Sequence, residues 1–174
     1  MISKINSNFV ASGKNPEVDI VWKLLSEIPD PEIPVISIVD LGIAREVEIS
    51  GDKVIVSITP TYSGCPAMMV IEQEIISTLR TNGMNPVIKT VYSPVWTTDW
   101  INDSAKEKLR AYGIAPPEKS SMDKNSLAVQ PKIIQCPRCK SENTELISQF
   151  GSTACKALYR CKNCLEPFDY FKCH

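Results

Sequence analysis

The apolar residues of the first hundred positions fall into alternating helical and extended spacings. Val18, Val21, Leu24, Leu25 and Ile28 recur three and four residues apart, which lines one face of a helix. Asn15 is placed to cap that helix and Pro16 to fill its first position, where a missing N–H costs nothing. Pro29, Pro31 and Pro34 end it, and DPEIPVISIVDLG follows as a loop. Ile43, Val47 and Ile49, then Val54, Val56 and Ile58, alternate on either side of Ser50-Gly51-Asp52, which predicts a β-hairpin. A second helix is expected just after Ser63-Gly64-Cys65-Pro66, with Met69, Ile75, Ile76 and Leu79 as its buried stripe and Asn82-Gly83 as its stop. Residues 87–91 suit a third strand, and Thr98 is placed to cap a last helix running towards Tyr112 and stopping at Gly113. The pattern predicts an α/β (α+β) unit over residues 1–115, with a small mixed sheet, a hairpin and about three helices.

The periodicity then fails. Residues 116–131 are polar, rich in proline and serine, and read as a linker; the tail from 132 to 174 has a different composition. Only Cys65 lies in residues 1–135, whereas Cys136, Cys139, Cys155, Cys161, Cys164 and Cys173 crowd the end, and the sole histidine is His174. About forty residues cannot build a large core, and such a unit usually needs a metal or disulfides. No apolar run approaches the roughly 18 residues that span a bilayer, and the polar start MISKINSNF lacks the hydrophobic segment of a signal peptide. A cytoplasmic protein is therefore expected, without a membrane partner. In a reducing compartment, metal ligation is the better use of such cysteines.

Cys136-Pro-Arg-Cys139 and Cys161-Lys-Asn-Cys164 are two CxxC pairs separated by 21 residues. Each pair can form a knuckle offering two sulfurs, and two knuckles joined by a hairpin over residues 145–160 make a tetrahedral four-cysteine site, the zinc-ribbon arrangement. Zinc is favoured, although thiolates in this geometry also hold iron or an iron-sulfur cluster. Cys155, Cys173 and His174 are left over; packing accounts for the cysteines, and a second metal position is the sharper alternative. The tail carries seven Lys/Arg against four Asp/Glu, and residues 1–131 carry twelve against sixteen. Four thiolates on a divalent ion would reduce the tail from +3 to about +1, so nucleic-acid binding is not expected.

The absence of an internal histidine excludes Ser-His-Asp and Cys-His mechanisms unless the C-terminal residue folds back into a site. What remains in the first unit is Cys65 at a helix start, where unpaired N–H groups favour a thiolate and burial opposes it. Asp30 and Glu32 lie two residues apart in the proline-rich loop, Asp40 begins the VDLG turn, and Thr59 ends the second strand. The carboxylates can simply cap and solvate the loop. If that loop packs over the strand-to-helix turn, the same groups converge on Cys65 as a small mixed S/O site without histidine.

DPEIPVISIVDLG, the hairpin and TPTYSGCPAM together resemble the metal-sulfur cluster biosynthesis domain of cytosolic iron-sulfur assembly factors and SufT-like bacterial proteins, over about residues 16–115. With the tail segments FGSTACKALYRC and EPFDYFKC, the chain resembles the D (or J) subunit family of the phenylacetyl-CoA epoxidase system. That resemblance implies an accessory maturation role in aerobic phenylacetate degradation, in which the protein assists iron or iron-sulfur cluster assembly. The oxygenase and reductase subunits, or other iron-sulfur assembly proteins, are its implied partners. It also implies a site of Asp30, Glu32, Thr59 and Cys65, with Ile33 as an apolar neighbour; SGCP stands where many relatives have PGCP. A non-catalytic adaptor that holds epoxidase components together is the alternative. An enzyme using Cys65 for acyl or thiol chemistry lacks both a base and a phosphate cradle.

Overall fold

The computed structural model describes residues 16–117 and 133–172. Asn15, Cys173, His174 and all but the first two residues of the expected linker lie outside them. Helix α1 (Pro16–Ser26) buries Val21 and Leu25 and is followed by the proline-rich loop. Strands β1 (Ala44–Ser50) and β2 (Lys53–Ile58) form the expected antiparallel hairpin. Helix α2 (Ala67–Thr81) then crosses over to β3 (Asn85–Thr90), which lies parallel to β2, so the sheet has the order β1-β2-β3.

Two sequence expectations need correction here. The buried stripe of α2 is Ala67, Ile71, Ile75 and Leu79, and Met69 is 74% exposed. Met69 lies two positions before Ile71, which at about 100° per residue puts it on the opposite side of the helix. Thr98 does not cap the last helix; it opens a single 3₁₀ turn (Thr98–Trp100), and α3 (Asp103–Tyr112) is capped by Asn102, whose Oδ1 accepts from the Ala105 N–H at 2.7 Å. Asn102 is extended, with φ −71° and ψ 161°, so its short amide can turn back onto the first helical turn. Gly113 closes α3, as its sequence position suggests.

The tail and Ile114–Ala115 at the end of the first unit together form a second sheet of order β4-β7-β6-β5, from β4 (Ile114–Ala115), β5 (Thr144–Ser148), β6 (Lys156–Cys161) and β7 (Pro167–Phe171). The β5–β6 hairpin has one knuckle before it and one after it, as expected of a zinc ribbon. Strand β4 comes directly from α3 and runs parallel to β7, which seats the ribbon against the α+β lobe. The alternation of β7 then serves two cores. Phe168 packs within the ribbon on Tyr159, with ring centroids 5.9 Å apart, while Phe171 meets Trp96 of the first lobe edge-on at 6.2 Å. Cys155, at the entrance to β6, belongs to the same core as Phe171.

Candidate functional site

The loop after α1 is built around Asp30. Its Oδ1 accepts from the N–H groups of Glu32 (3.0 Å) and Ile33 (2.8 Å), and its own N–H donates to the Ile36 carbonyl. Asp30 is buried, and Ile33 and Ile36 beside it are core residues. Burial is the largest influence on its carboxyl and pushes its pKa up, against the two N–H donors that favour the charge. Asp30 thus holds the turn that presents Glu32, which is half-buried. Asp40 sits elsewhere and ties the loop to α3, accepting from Lys108 Nζ at 2.6 Å and Asn102 Nδ2 at 3.1 Å. Desolvation works against the Asp40 charge, but Lys108 and Asn102 outweigh it and hold that carboxyl below its usual range. Gly42 completes the VDLG turn with φ +69°; a Cβ there would stand 2.8 Å from Trp100 Cβ.

The strand-to-helix turn presents Cys65. Gly64 takes φ +93°, a conformation that glycine adopts without strain, and this turns the chain so that Cys65 stands just ahead of α2. The Cys65 sulfur accepts from the Ala67 N–H and from the Thr61 hydroxyl, so it stands in for the side-chain cap that Pro66 cannot supply. These donors do not make it a ready thiolate. Burial pushes the Cys65 thiol up, and the carboxylates of Glu32 and Asp30 add to that. Thr59 is buried at the end of β2, where its N–H donates to the Ile43 carbonyl, and it lines a cavity of about 600 Å³ together with Thr61, Tyr62 and Trp96. The charges of Glu32 and Asp30 thus reach Cys65 from the other loop, and Thr59 lines the cavity beside the Cys65 turn.

One residue that the sequence pattern assigns to packing also belongs to this neighbourhood. Cys155 is 6% exposed, and its thiol donates to Glu32 Oε2 at 3.0 Å, across 123 residues of chain. Thr153 Oγ1 lies 3.1 Å from the same sulfur. Burial and the Glu32 carboxylate push the Cys155 thiol up to about 12. Burial pushes the Tyr62 phenol up, and the charges of Cys65, Glu32 and Cys155 add to that. Spacing could not reveal this, because Cys155 lies outside both CxxC pairs and its partner is in the other lobe.

The four paired cysteines form a separate cluster. Their sulfurs all lie within 4.8 Å of one another, with Cys136–Cys164 at 3.8 Å and Cys139–Cys161 at 3.5 Å. A tetrahedron with metal–sulfur bonds of about 2.3 Å has edges of about 3.8 Å, so the set fits a metal ion of that size. Lys140 (φ 60°) and Leu165 (φ 63°) each follow the second cysteine of a pair, so both knuckles are closed by the same left-handed residue. The N–H groups of Cys164 and Asn163 hold the Cys161 thiol down at about 6, which suits a ligand that binds as thiolate. Among the described residues no helix is long and apolar enough to cross a membrane.

Residues 120–172 match the family model described as the PaaD zinc beta ribbon domain, and residues 19–87 match that of an iron-sulfur cluster assembly protein. The chain is 53% identical over 159 residues to the Escherichia coli (strain K12) protein named as the D subunit of a "Putative 1,2-phenylacetyl-CoA epoxidase", covering 91% of this chain and 94% of that one. Among solved structures, a domain of unknown function, DUF59, from Bacillus anthracis superposes with a TM-score of 0.50 at 25% identity, over 53% of this chain and 90% of that one.

Proposed function

Because the chain belongs to the family of the phenylacetyl-CoA epoxidase D subunit, we propose that it is an accessory maturation factor of that epoxidase system, receiving iron or an iron-sulfur cluster as cargo at Cys65. The observation that carries this reading is the donor set. A half-buried thiol, influenced by the Glu32 carboxylate and by N–H and O–H donors, sits in a lobe without histidine whose residues 19–87 match an iron-sulfur cluster assembly family model. Glu32 helps to bind the incoming metal, Asp30 fixes the turn that presents it, and Thr59 shapes the wall of the site. The client is the oxygenase or the reductase of the same system.

In the ribbon, Cys136, Cys139, Cys161 and Cys164 hold a structural zinc ion as thiolates, and that ion's chemistry is to close the knuckles. The groove of about 600 Å³ beside Cys65 is where the client docks. Tyr92, Val95 and Phe150 line it and are largely exposed, more apolar surface than a solvated loop requires. The same groove favours the second reading, a structural adaptor with Cys65 incidental.

The two readings separate on cells expressing the Cys65→Ser chain. The carrier reading expects unchanged folding and ribbon zinc, together with lower metal and cluster occupancy in the epoxidase components. Unaltered occupancy refutes the carrier. Co-purification of the variant with its client, at unchanged client occupancy, is the adaptor's result.

A further inference from the structure

The site described around Cys65 contains one thiol from the α+β lobe and a second from the ribbon that no zinc-ribbon role employs. We propose that Cys155 is the second sulfur ligand of the Cys65 site, so that Cys65, Cys155 and Glu32 form a two-sulfur, one-carboxylate position for a soft divalent metal, built jointly by the two lobes. This inference rests on the reading of Cys65 as a metal-binding residue and adds the ligand that completes it.

Three observations carry it. The first is convergence: the Cys155 thiol is in hydrogen-bond contact with Glu32 at 3.0 Å, Cys65 and Cys155 pack in one core cluster, and Tyr62 and Ser63 of the Cys65 turn line the same cavity as Ala154. The segments that carry residues 32, 65 and 155 are brought together by the pairing of β4 with β7 and by Phe171 on Trp96.

The second is charge. Glu32 meets the Cys155 thiol and Asp30 holds the same turn, so one loop brings two carboxylates to it. Lys156 acts on Asp30, but its ammonium already lies 3.6 Å from Asp169; Lys172 acts on Cys155 while standing over the Phe150 ring at 4.3 Å. Loss of either thiol proton would add another negative charge to this group. A divalent cation relieves that repulsion when it binds.

The third is chemistry. Two thiolates and one carboxylate are a soft-to-borderline donor set suited to Fe(II), Zn(II) or Co(II), and unsuited to Mg(II) or Ca(II). Binding is written M²⁺ + 2 RSH → M(SR)₂ + 2 H⁺. The Cys155 thiol already donates to Glu32 Oε2, so the two donors of that pair are held together before a metal binds. Among the described residues, only the four ribbon sulfurs lie wholly within 4.8 Å of one another. The Cys65 group is wider, so a metal held there would need its ligands to close by a small shift of the loops.

The test uses the full-length chain, purified anaerobically with its ribbon zinc in place and titrated with Co(II) as the probe. Thiolate-to-Co(II) charge-transfer absorbance scales with the number of sulfur ligands. The wild type is expected to bind one Co(II) with the intensity of two thiolates, zinc being retained. Cys155→Ser and Cys65→Ser should each halve that intensity and weaken binding roughly 100-fold. Glu32→Gln should keep the full intensity and bind roughly tenfold more weakly.

If Cys155→Ser leaves intensity and affinity unchanged while Cys65→Ser lowers both, Cys155 is packing only. The inference is then overturned and the Cys65 reading stands. If neither serine variant changes Co(II) binding, or the wild type binds no Co(II) beyond its zinc, both readings fall. Should Cys155→Ser not fold, X-ray absorption at the cobalt edge of the wild type counts sulfur neighbours directly. Two sulfurs uphold the inference, and one overturns it.

Discussion

Truncating Phe171 to alanine tests whether the ribbon and the α+β lobe share one core. Phe171 lies on a ribbon strand, is 2% exposed, and meets Trp96, itself 2% exposed, edge-on. Removing a fully buried phenylalanine costs about 3–5 kcal/mol, cavity included. For a chain of this length each kcal/mol lowers Tm by about 2–4 °C, so a central loss of about 4 kcal/mol corresponds to a fall of about 8–16 °C. Tryptophan fluorescence is the natural assay, because Trp22, Trp96 and Trp100 all belong to the α+β lobe and the ribbon has none. A melt followed by fluorescence therefore reports the lobe that was not mutated. The expected result is one transition, shifted down in Phe171→Ala and also shifted down when a chelator strips the ribbon metal from the wild type. Phe168→Ala is the internal comparison, since its ring lies in the ribbon's own core on Tyr159. Two resolved transitions, with the fluorescence transition unmoved by Phe171→Ala and by chelation, would refute the shared core and remove the frame that brings Cys155 to Glu32.

Three further outcomes follow from particular contacts. Asp30→Ala removes the acceptor of two N–H groups and should cost about 1–3 kcal/mol in a denaturant melt, whereas Asp30→Asn keeps the acceptor. Burial raises the Asp30 pKa above 3.8, so the wild type loses stability as pH climbs from there through the folded value. The Asn variant does not lose it, and should match or exceed the wild type at pH 7 but not near pH 4; an Asn chain markedly weaker at pH 7 contradicts this. Gly42→Ala combines a positive φ with a Cβ 2.8 Å from Trp100 and should destabilise by about 2–4 kcal/mol, so an unchanged Tm would count against the turn as described. Ile71→Ala should cost about 2–5 kcal/mol while Met69→Ala stays within about 0.5 kcal/mol, and the reverse order would restore the stripe expected from sequence.

The elements legible in the sequence are those with a local cause. Alternation about Ser50-Gly51-Asp52 produces the hairpin, Pro16 opens α1, Gly113 closes α3, and two CxxC pairs at ribbon spacing meet in a four-sulfur cluster. Features that the pattern misses have weak or non-local causes. Three adjacent apolar residues, Met68 to Val70, leave the phase of the α2 stripe to the start of the helix, so spacing alone puts Met69 on the wrong face. Thr98 and Asn102 are both able caps, and the buried Ile101 between them selects the later one. An activated thiolate at the helix start is the local expectation for Cys65; the structure reverses its sign through burial and two carboxylates from a loop more than thirty residues away. Cys155 is the extreme case, since its principal contact spans 123 residues and depends on how two sheets dock.

The two groups of cysteines also differ in what they leave open. Four sulfurs at tetrahedral spacing saturate a metal, and a saturated ion has no position through which an incoming ligand can start an exchange. Such a site stabilises the fold and suits poorly as a donor. The position proposed at Cys65, Cys155 and Glu32 has three protein ligands from three segments, so a tetrahedral metal keeps one position for a client's ligand. The neighbouring groove, with Tyr92, Val95 and Phe150 on its rim, borders the Cys65 loop and gives that ligand a route. Because one sulfur of the proposed position comes from each lobe, a metal held there would depend on how the ribbon sits against the α+β lobe. A carrier built wholly within the α+β lobe would have no such dependence on the docking held by Phe171 and β4.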